Sequence, residues 1–215
     1  MNRIKYIGFY NHNSSKINRT CALSAVNKMD YVISSLNEIG YGVDIISPSW
    51  LVPTEKSFFK RGETISLANN NYIYAPSFNT KYKIGNYTTI VLSWIWLFFY
   101  LLFKAKRNET IIVYHSLWLS ISLYYVNKIK KIKIILEVEE IYSEIWKFHK
   151  LLVCFETKII NSSDSYIIAS DFLKNKLSEE KEKILLYGSY KLNNISSEGF
   201  SLNGKYIHLV YAGGI

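Results

Sequence analysis

Acidic side chains crowd the stretch ILEVEEIYSE (135–144), at the end of an apolar run. Because side chains alternate along a strand, Glu137 and Glu139 are predicted to share one face and Glu140 to leave it. Carboxylates this close repel one another once they lose water, so at least one is expected to bond a positive group or sugar hydroxyls. The structural alternative is that Glu140 and Glu144 place favourable charge in the first turn of a following helix.

The preceding apolar run ends in VYHSLW (113–118), where a histidine and a serine begin a helical pattern. An imidazole at such a position can hydrogen-bond a sugar hydroxyl or a phosphate, and it titrates near neutral pH. His115 and Ser116 are therefore candidate substrate-binding residues. A single histidine at a strand end is also often structural, so both interpretations stay open.

A polar loop, NHNSSKINRT (11–20), leads from the first apolar run of the chain into a helical pattern. Backbone N–H groups and the dipole at a helix N-terminus favour anions, so side chains beside it are candidates for binding one. The loop matches neither the G-x-G-x-x-G nor the Walker pattern, and it does not by itself indicate a nucleotide site. An ordinary polar surface loop is the alternative. The candidate binding residues are His12, Ser14, Ser15, Lys16 and Arg19.

Several classes of catalytic and metal site have no motif here. HExxH, GxSxG and Cys–His pairings are absent, which leaves metalloprotease and hydrolase functions without support. Cys21 and Cys154 lie far apart and lack the spacing of a zinc site, so we predict no metal and two reduced thiols. Reduced thiols and an N-terminus without a signal-peptide pattern predict a cytoplasmic protein.

Composition bounds the size of the fold and the charge of its partners. The chain has 215 residues, of which 49% are hydrophobic, enough for one large domain or two small ones. Its formal net charge of +9 suits nucleic acid, an anionic membrane surface or a phosphorylated small molecule. Nucleic acid is disfavoured, because the lysines of NKIKKIKI (127–134) are not interleaved with aromatic residues in a stacking pattern.

Strand-like and helical patterns must position these candidates, and they alternate along most of the chain. The first strand, 4–10, leads through the polar loop to a helix that ends at Gly40, before a second strand over 41–49. Two short runs in 61–78 flank an Asn-rich turn and predict a β-hairpin, and a helix is expected over about 86–106. Three further apolar strands, each followed by a helical pattern, predict an α/β fold. We expect a Rossmann-like parallel sheet with helices on both faces and a small β-hairpin insertion.

The character of the sequence changes after residue 189. Residues 190–205 are rich in Asn, Ser and Gly and lack periodicity, as in a linker. We therefore predict a Rossmann-like domain over 1–189, a linker, and in 206–215 the first strand of a second domain.

The most hydrophobic stretch is IVLSWIWLFFYLLF (90–103), which is followed by Lys104, Lys106 and Arg107. A bilayer-spanning helix needs about 20 apolar residues, so spanning is the weakest of three interpretations. The second is a helix packed into the core of the domain. The third is an interfacial helix whose aromatic side chains enter the headgroup layer while its basic end contacts anionic lipid. The candidate membrane-contact residues are Trp94, Trp96, Phe98, Phe99, Lys104 and Arg107.

In this order the parts resemble the N-terminal half of a GT-B glycosyltransferase of the group 1, family 4 kind, used in assembly of bacterial capsule, exopolysaccharide or lipopolysaccharide. The resemblance lies in NKMDYVISSLNEIGYGVDIISPS, VYHS, LEVEEIYSE, SYIIASDFLKNKL, ILLYGS and LVYAGGI. It implies two Rossmann-like domains facing a cleft, the first binding the acceptor and the second the nucleotide sugar. The second domain would be missing after its first strand or supplied as a separate half, and this half would be inactive alone.

The resemblance also implies roles for individual residues. Glu139 and Glu140 occupy the place where relatives carry a polar pair near the transferred sugar, so they are the candidate catalytic residues. The loop from His12 to Arg19 would face the cleft, and His115 would line the acceptor side.

The implied reaction is retaining transfer from a nucleotide sugar to a lipid-linked or glycan acceptor, assisted by the leaving diphosphate and needing no metal or other cofactor. The alternative function is a non-catalytic protein with a Rossmann-like domain that binds a membrane or a partner subunit. A lipid-linked acceptor would place the protein in the cytoplasm, peripherally on the inner face of the cytoplasmic membrane.

Overall fold

One eight-stranded sheet organises the described part of the chain. The computed structural model describes residues 2–53, 55, 58–79 and 83–188. The predicted linker and second-domain strand, after residue 189, lie outside these ranges. In chain order the strands are β1 (Arg3–Ile7), β2 (Gly42–Ser47), β3 (Phe59–Lys60), β4 (Glu63–Leu67), β5 (Asn70–Tyr74), β6 (Ser77–Phe78), β7 (Thr110–Tyr114), β8 (Lys133–Val138), β9 (Ser165–Ile168) and β10 (Lys183–Leu185).

The strand order of the large sheet is β10-β9-β8-β7-β1-β2-β5-β4. Every neighbouring pair in it is parallel except β4 with β5, while β3 and β6 form a separate antiparallel pair. The helices are α1 (Leu23–Glu38), α2 (Lys83–Lys104), α3 (Leu117–Lys130), α4 (Tyr142–Ile145), α5 (Lys150–Ser162) and α6 (Asp171–Lys174). This arrangement confirms the predicted α/β, Rossmann-like class.

Helices cover both faces of the sheet, as the fully apolar strands predicted. On one face, α1 buries Val26 and Met29 against strand residues such as Ile45. On the other face, α2, α3 and α5 pack against the residues that alternate with these, including Ile46 and Leu136. Both faces of the strands are therefore largely apolar, and most polar side chains that could form a site lie at the strand ends.

The first βαβ unit forms as predicted, with β1 and β2 paired in parallel across α1. Gly40 ends α1 in a left-handed conformation, with φ of +87°. The N–H groups of Gly40 and Tyr41 donate to the carbonyls of Asn37 and Leu36, each at 3.0 Å. This is the hydrogen-bond pattern of a Schellman cap, in which a glycine avoids the steric cost of a Cβ.

The predicted hairpin is present as β4 and β5, joined by a turn in which Ala68 adopts a φ of +50°. It extends the main sheet, because β5 pairs in parallel with β2. The antiparallel β4 then forms one edge of the sheet. The hairpin thus brings the end of β5 to the edge where β1 and β2 also end.

One face of α2 is packed into the core and the other is left in solvent. Leu97 and Leu101 are fully buried, as expected for a core helix. Among the described residues, α2 is the one helix long and apolar enough to cross a bilayer, but crossing would remove this buried face from the sheet. The exposed apolar residues of α2 are Tyr87, Val91, Leu92, Ile95, Phe99 and Phe103.

The predicted membrane-contact residues divide into two groups. The half-buried ones, which pack on the core or on α3, are Trp94, Trp96 and Phe98. The exposed ones are Phe99, Lys104 and Arg107. The exposed apolar surface of α2 is therefore formed mainly by aliphatic and phenylalanine side chains, and the two tryptophans are half-buried.

Candidate functional site

The order in which the chain adds strands to the sheet reverses at β1. α1 carries the chain from β1 to β2 on one side, whereas β7 pairs with the opposite side of β1. Ligands of open parallel sheets collect outside the carboxyl ends of the strands at such a reversal. Gly8 follows β1 at this point, and a Cβ there would lie 2.7 Å from Sδ of Met29 and 3.1 Å from Cβ of Tyr114. A side chain at Gly8 would therefore force its neighbours to move.

A cavity of about 230 Å³ opens at the reversal. Aromatic side chains form most of its wall, and its non-aromatic polar side chains are Thr20, Cys21 and Ser116. None of the described residues that line it carries a charge. The aromatic lining residues are Phe9, Trp50, Trp118, Tyr142 and Phe148.

Three of these rings meet edge to face. The ring centroids of Phe9 and Trp50 lie 5.2 Å apart with the planes at 68°, and those of Trp50 and Trp118 lie 6.5 Å apart at 88°. Such contacts fix the rings relative to one another. A wall of fixed rings with a few hydroxyls suits an uncharged ligand with an apolar face, such as a sugar ring, and offers nothing to neutralise a phosphate.

Ser116 is the predicted site residue that reaches the cavity. It precedes α3 as its N-cap, and its hydroxyl oxygen accepts a hydrogen bond from the Trp118 N–H at 3.3 Å. This cap holds the first turn of α3 in place, and with it the Trp118 ring. Ser116 therefore both lines the cavity and positions one of its walls.

His115 lies behind the cavity wall rather than in it. Its buried ring sits 5.4 Å from the ring of Tyr142. Nδ1–H donates to the Glu140 carbonyl oxygen at 3.0 Å, and Nε2 lies 3.4 Å from a Glu156 carboxylate oxygen. Burial lowers the pKa of His115, and the Glu156 carboxylate opposes that shift. The contacts of His115 are thus with the segment after β8 and with Glu156 of α5, and its predicted substrate contact remains a prediction.

Glu156 supports the same loop from α5. Its carboxylate is fully buried and accepts the N–H groups of Tyr142 at 2.8 Å and Ser143 at 3.0 Å. These are the first N–H groups of α4, which have no partner within that helix. Because Tyr142 lines the cavity, Glu156 positions part of the wall without touching the cavity itself.

Glu137 and Glu139 lie under α1 on the same face of the sheet, as strand alternation predicted. Glu137 is fully buried and accepts a hydrogen bond from the Tyr6 hydroxyl. Burial raises the pKa of Glu137 to about 7, and the Tyr6 hydrogen bond opposes the rise. Glu139 pairs with the buried Lys28, whose Nζ lies 3.0 Å from its carboxylate and donates to the Leu186 carbonyl at 2.8 Å. Lys28 is therefore the positive group that this cluster bonds.

Glu140 follows in the loop after β8, half-exposed, and contributes its carbonyl oxygen to His115. Neither Glu139 nor Glu140 lines the cavity, although both lie at the same edge of the sheet. Their catalytic roles stay predictions. Within the described ranges, no group of three or more His, Cys, Asp or Glu side chains is arranged to hold a metal ion.

The polar loop after β1 uses most of its side chains to shape itself. Nδ1 of His12 accepts hydrogen bonds from the N–H of Ser14 at 3.1 Å and from its hydroxyl at 2.6 Å, and the ring lies 4.5 Å from that of Tyr72. The Ser15 hydroxyl donates to the Ile17 carbonyl at 3.1 Å. Since Nδ1 of His12 is an acceptor, the proton of the neutral ring lies on Nε2, which leaves a donor on a half-exposed side chain.

Arg19 is buried, with 3% of its surface exposed. Its Nη1 donates to the carbonyls of Ser49 at 2.8 Å and Ala75 at 2.9 Å, and its guanidinium lies 5.0 Å from the centre of the Tyr74 ring. Burial lowers the pKa of Arg19. Arg19 thereby joins the segments that follow β2 and β5, a structural contact that its local sequence did not predict.

The aromatic wall was not predicted, because at the strand ends only polar side chains were considered as site residues. A signal was present: Phe9, Trp50 and Trp118 each come shortly after a strand whose carboxyl end faces the reversal. Large aromatic residues at such positions can be core, but three of them at one edge indicate a shared surface.

Comparison with known proteins places the fold. Neither a protein-family model nor a curated protein matches the chain. Sucrose-phosphate synthase from Thermosynechococcus elongatus is similar in structure, with a TM-score of 0.57 and 10% identity over 87% of this chain and 48% of that one. A shorter structure of the same synthase has a TM-score of 0.50 and 9% identity over 86% of this chain and 88% of that one. The α,α-trehalose 6-phosphate synthase from Burkholderia multivorans has a TM-score of 0.48 and 11% identity over 81% of this chain and 41% of that one.

At these identities the likeness concerns the fold alone. The shared fold is a Rossmann-like α/β sheet in which parallel strands dominate, and the synthases that carry it are GT-B glycosyltransferases. The chain spans about half the length of the longer sucrose-phosphate synthase structure.

Proposed function

We propose that this chain is the acceptor-binding half of a retaining, sugar-nucleotide-dependent glycosyltransferase of surface polysaccharide assembly. The observation that carries the proposal is the uncharged, aromatic cavity at the strand reversal of a GT-B type sheet. The family 4 type and the polysaccharide role rest on the sequence resemblance. In this proposal the residues up to 189 form the acceptor domain, and the segment after the 190–205 linker begins the next one.

The acceptor sugar lies in the cavity. Its apolar face packs against Trp50 and Trp118, and its hydroxyls reach Thr20 and Ser116 at the rim. Glu139 and Glu140 approach the transferred sugar from the neighbouring strand end. The Nε2 donor of His12 is available to the donor phosphates.

The nucleotide sugar is bound by a second domain outside the described residues, either later in the chain or on a separate half. Transfer requires donor and acceptor in near-attack geometry, which one half of a cleft does not provide. The isolated half is therefore expected to bind acceptor without transferring sugar.

The test is a binding screen of methyl glycosides of glucose, galactose, mannose and N-acetylglucosamine, read by saturation-transfer NMR. At least one should bind, and Trp118→Ala should weaken it by about tenfold or more, since a stacked ring contributes on the order of 1 kcal/mol beyond its buried area. Trp146→Ala is the matched control, because Trp146 is 65% exposed and lies outside the cavity wall. Failure of every glycoside to bind, or equal losses in both variants, would remove the proposal.

A peripheral membrane role is the second candidate, favoured by the surface of α2 and α3. The N–H of Asn108 donates to the Lys130 carbonyl at 3.2 Å, which sets the ends of the two helices side by side. Exposed cations gather there next to the exposed apolar residues of α2, a combination that suits anionic lipid at the inner face of the cytoplasmic membrane. These cations are Lys104, Lys106, Arg107, Lys128 and Lys131.

A further inference from the structure

A ridge formed by Ile95 and Phe99 runs along the outer face of α2. A groove of about 260 Å³ lies on one side of the ridge, and its wall includes Ile121 of α3. A second groove, of about 480 Å³, lies on the other side, and its wall includes Phe78 of β6. Ile95 and Phe99 line both grooves. An apolar ridge therefore stands between two largely apolar depressions.

The apolar surface around this ridge, called the α2 face below, is large. Its side chains are between 44% and 76% exposed. At roughly 150–200 Å² per fully exposed side chain of this size, they present on the order of 700 Å² to water. The largest apolar patch of a typical monomer is about 300–600 Å², and each partner in a standard interface between proteins buries about 800 Å². The α2 face is thus large enough to form a stable dimer. Its exposed residues are Tyr87, Val91, Leu92, Ile95, Phe99, Phe103 and Tyr125.

The ridge belongs to a row of residues at four-residue steps, which is the kind of row that interdigitates when helices pack. The row runs from Tyr87 through Val91, Ile95 and Phe99 to Phe103, so Ile95 is its midpoint. In an antiparallel pair centred on Ile95, Phe99 of one copy faces the smaller Val91 of the other. A two-fold interface uses the same patch on both copies and must be complementary to itself. A ridge flanked by grooves meets that requirement.

Charge favours the antiparallel direction. The C-terminal end of α2 and the turn after it expose Lys104, Lys106 and Arg107. A parallel pair would bring these cations of the two copies together. An antiparallel pair centred on Ile95 separates the two basic ends by on the order of 25 Å, which is well beyond the screening length at physiological ionic strength.

We propose that the α2 face binds the α2 face of a second copy of this chain, with the two α2 helices antiparallel across a two-fold axis at Ile95. Anionic lipid is the second candidate for this surface. Lipid needs no ridge, groove or midpoint in the surface that it covers, whereas a second copy needs all three. One copy cannot hold both partners at once, so vesicle binding would draw on the monomer. The acceptor cavity shares no lining residue with the two grooves, and the pairing does not depend on the proposed function.

Sedimentation equilibrium of the full chain over a concentration series, without lipid or detergent, measures the pairing. The wild-type mass should approach twice the 25.1 kDa of one chain. Ile95→Gln combined with Phe99→Gln should raise the dissociation constant of the dimer at least about tenfold, because both side chains lie at the centre of the interface and glutamine preserves the helix. Ile184→Gln is the matched control, since Ile184 is similarly exposed, at 57%, and lies on β10. A monomer at every concentration, or equal dissociation constants for the double variant and the control, would overturn the proposal.

Cysteine cross-linking tests the position of the axis without depending on a weakened interface. In a Cys154→Ser background, which removes the exposed native thiol, Ile95→Cys should give a disulfide-linked dimer under mild oxidation, because its two copies meet at the axis. Phe103→Cys should stay unlinked, since its two copies would lie on the order of 24 Å apart. Cross-linking of Phe103→Cys without that of Ile95→Cys would place the basic ends together and overturn the antiparallel arrangement.

Discussion

The Tyr6 hydroxyl on β1 donates a hydrogen bond to the Glu137 carboxylate on β8, across the intervening strand β7. Burial raises the pKa of Glu137 from 4.5 to about 7, so the folded protein keeps a proton that the unfolded chain releases. A raised pKa of a carboxyl group makes the folded state bind more protons than the unfolded state. Between pH 4.5 and pH 7, stability is therefore expected to fall as pH rises, by about 3 kcal/mol from this group.

Glu137→Gln should flatten that profile. The amide keeps an acceptor for Tyr6 and has no proton to lose, so the variant should match the wild-type protein near pH 4.5 and exceed it by about 2–3 kcal/mol at pH 8. Urea unfolding at pH 4.5, 6 and 8 measures the difference. Glu180→Gln, at an exposed position, should leave the profile unchanged. Parallel curves for Glu137→Gln and wild type would show that Glu137 is ionised throughout.

Arg19→Met should cost about 3 kcal/mol, because the buried carbonyls of Ser49 and Ala75 lose their donor. Arg107→Met, at an exposed position, should stay within about 0.5 kcal/mol of wild type. Chemical denaturation of both variants gives the values. If Arg19→Met keeps its stability and loses glycoside binding, the substrate role predicted from the sequence is right and the structural role is wrong.

Glu156→Ala should destabilise the protein by about 2–4 kcal/mol, because the N–H groups of Tyr142 and Ser143 lose a buried acceptor. It should also weaken glycoside binding, since Tyr142 belongs to the cavity wall. Glu156→Gln retains one acceptor oxygen and should recover part of both losses. Thermal melts and titration calorimetry on the two variants test this, and wild-type behaviour of Glu156→Ala would contradict the positioning role.

Flotation with liposomes tests the membrane surface of α2. The wild-type protein should float with anionic vesicles, less so at raised salt, and remain unbound to neutral ones. Phe99→Ser combined with Phe103→Ser should reduce binding by about tenfold or more, since each ring loses its buried area in the headgroup layer. Phe172→Ser, an equally exposed position on α6, is the control. If the Phe99→Ser/Phe103→Ser variant floats as well as Phe172→Ser, the membrane contact lies outside this surface of α2.

The fold could be predicted because its signals are local. The apolar steps of α1, the glycine that ends it and the fully apolar strands are each readable within a dozen or so residues. The pairing of β5 with β2 was not readable in this way, because strand order depends on contacts between distant segments. The hairpin was therefore predicted as an insertion that decorates the main sheet, while its pairing with β2 was not predicted.

The candidate site was harder to predict, since the role of a polar side chain depends on partners far along the chain. Arg19 donates hydrogen bonds to carbonyls 30 and 56 residues away in the sequence, and no local pattern predicts such contacts. The wall tryptophans posed the opposite difficulty, because an aromatic residue after a strand has the same local signature in a core and in a cavity. Glu137 and Glu139 were read correctly as sharing a face, since alternation along a strand is local.

The two thiols differ in a way that makes the cavity measurable. Cys21 is half-buried in the cavity wall, where burial raises the pKa of its thiol, whereas Cys154 is exposed on α5. An alkylating reagent should therefore modify Cys154 quickly and Cys21 slowly, because the thiolate is the reactive form. A molecule seated against Trp50 and Trp118 would slow the second reaction and leave the first unchanged. The ratio of the two alkylation rates thus reports the occupancy of the cavity with native cysteines alone.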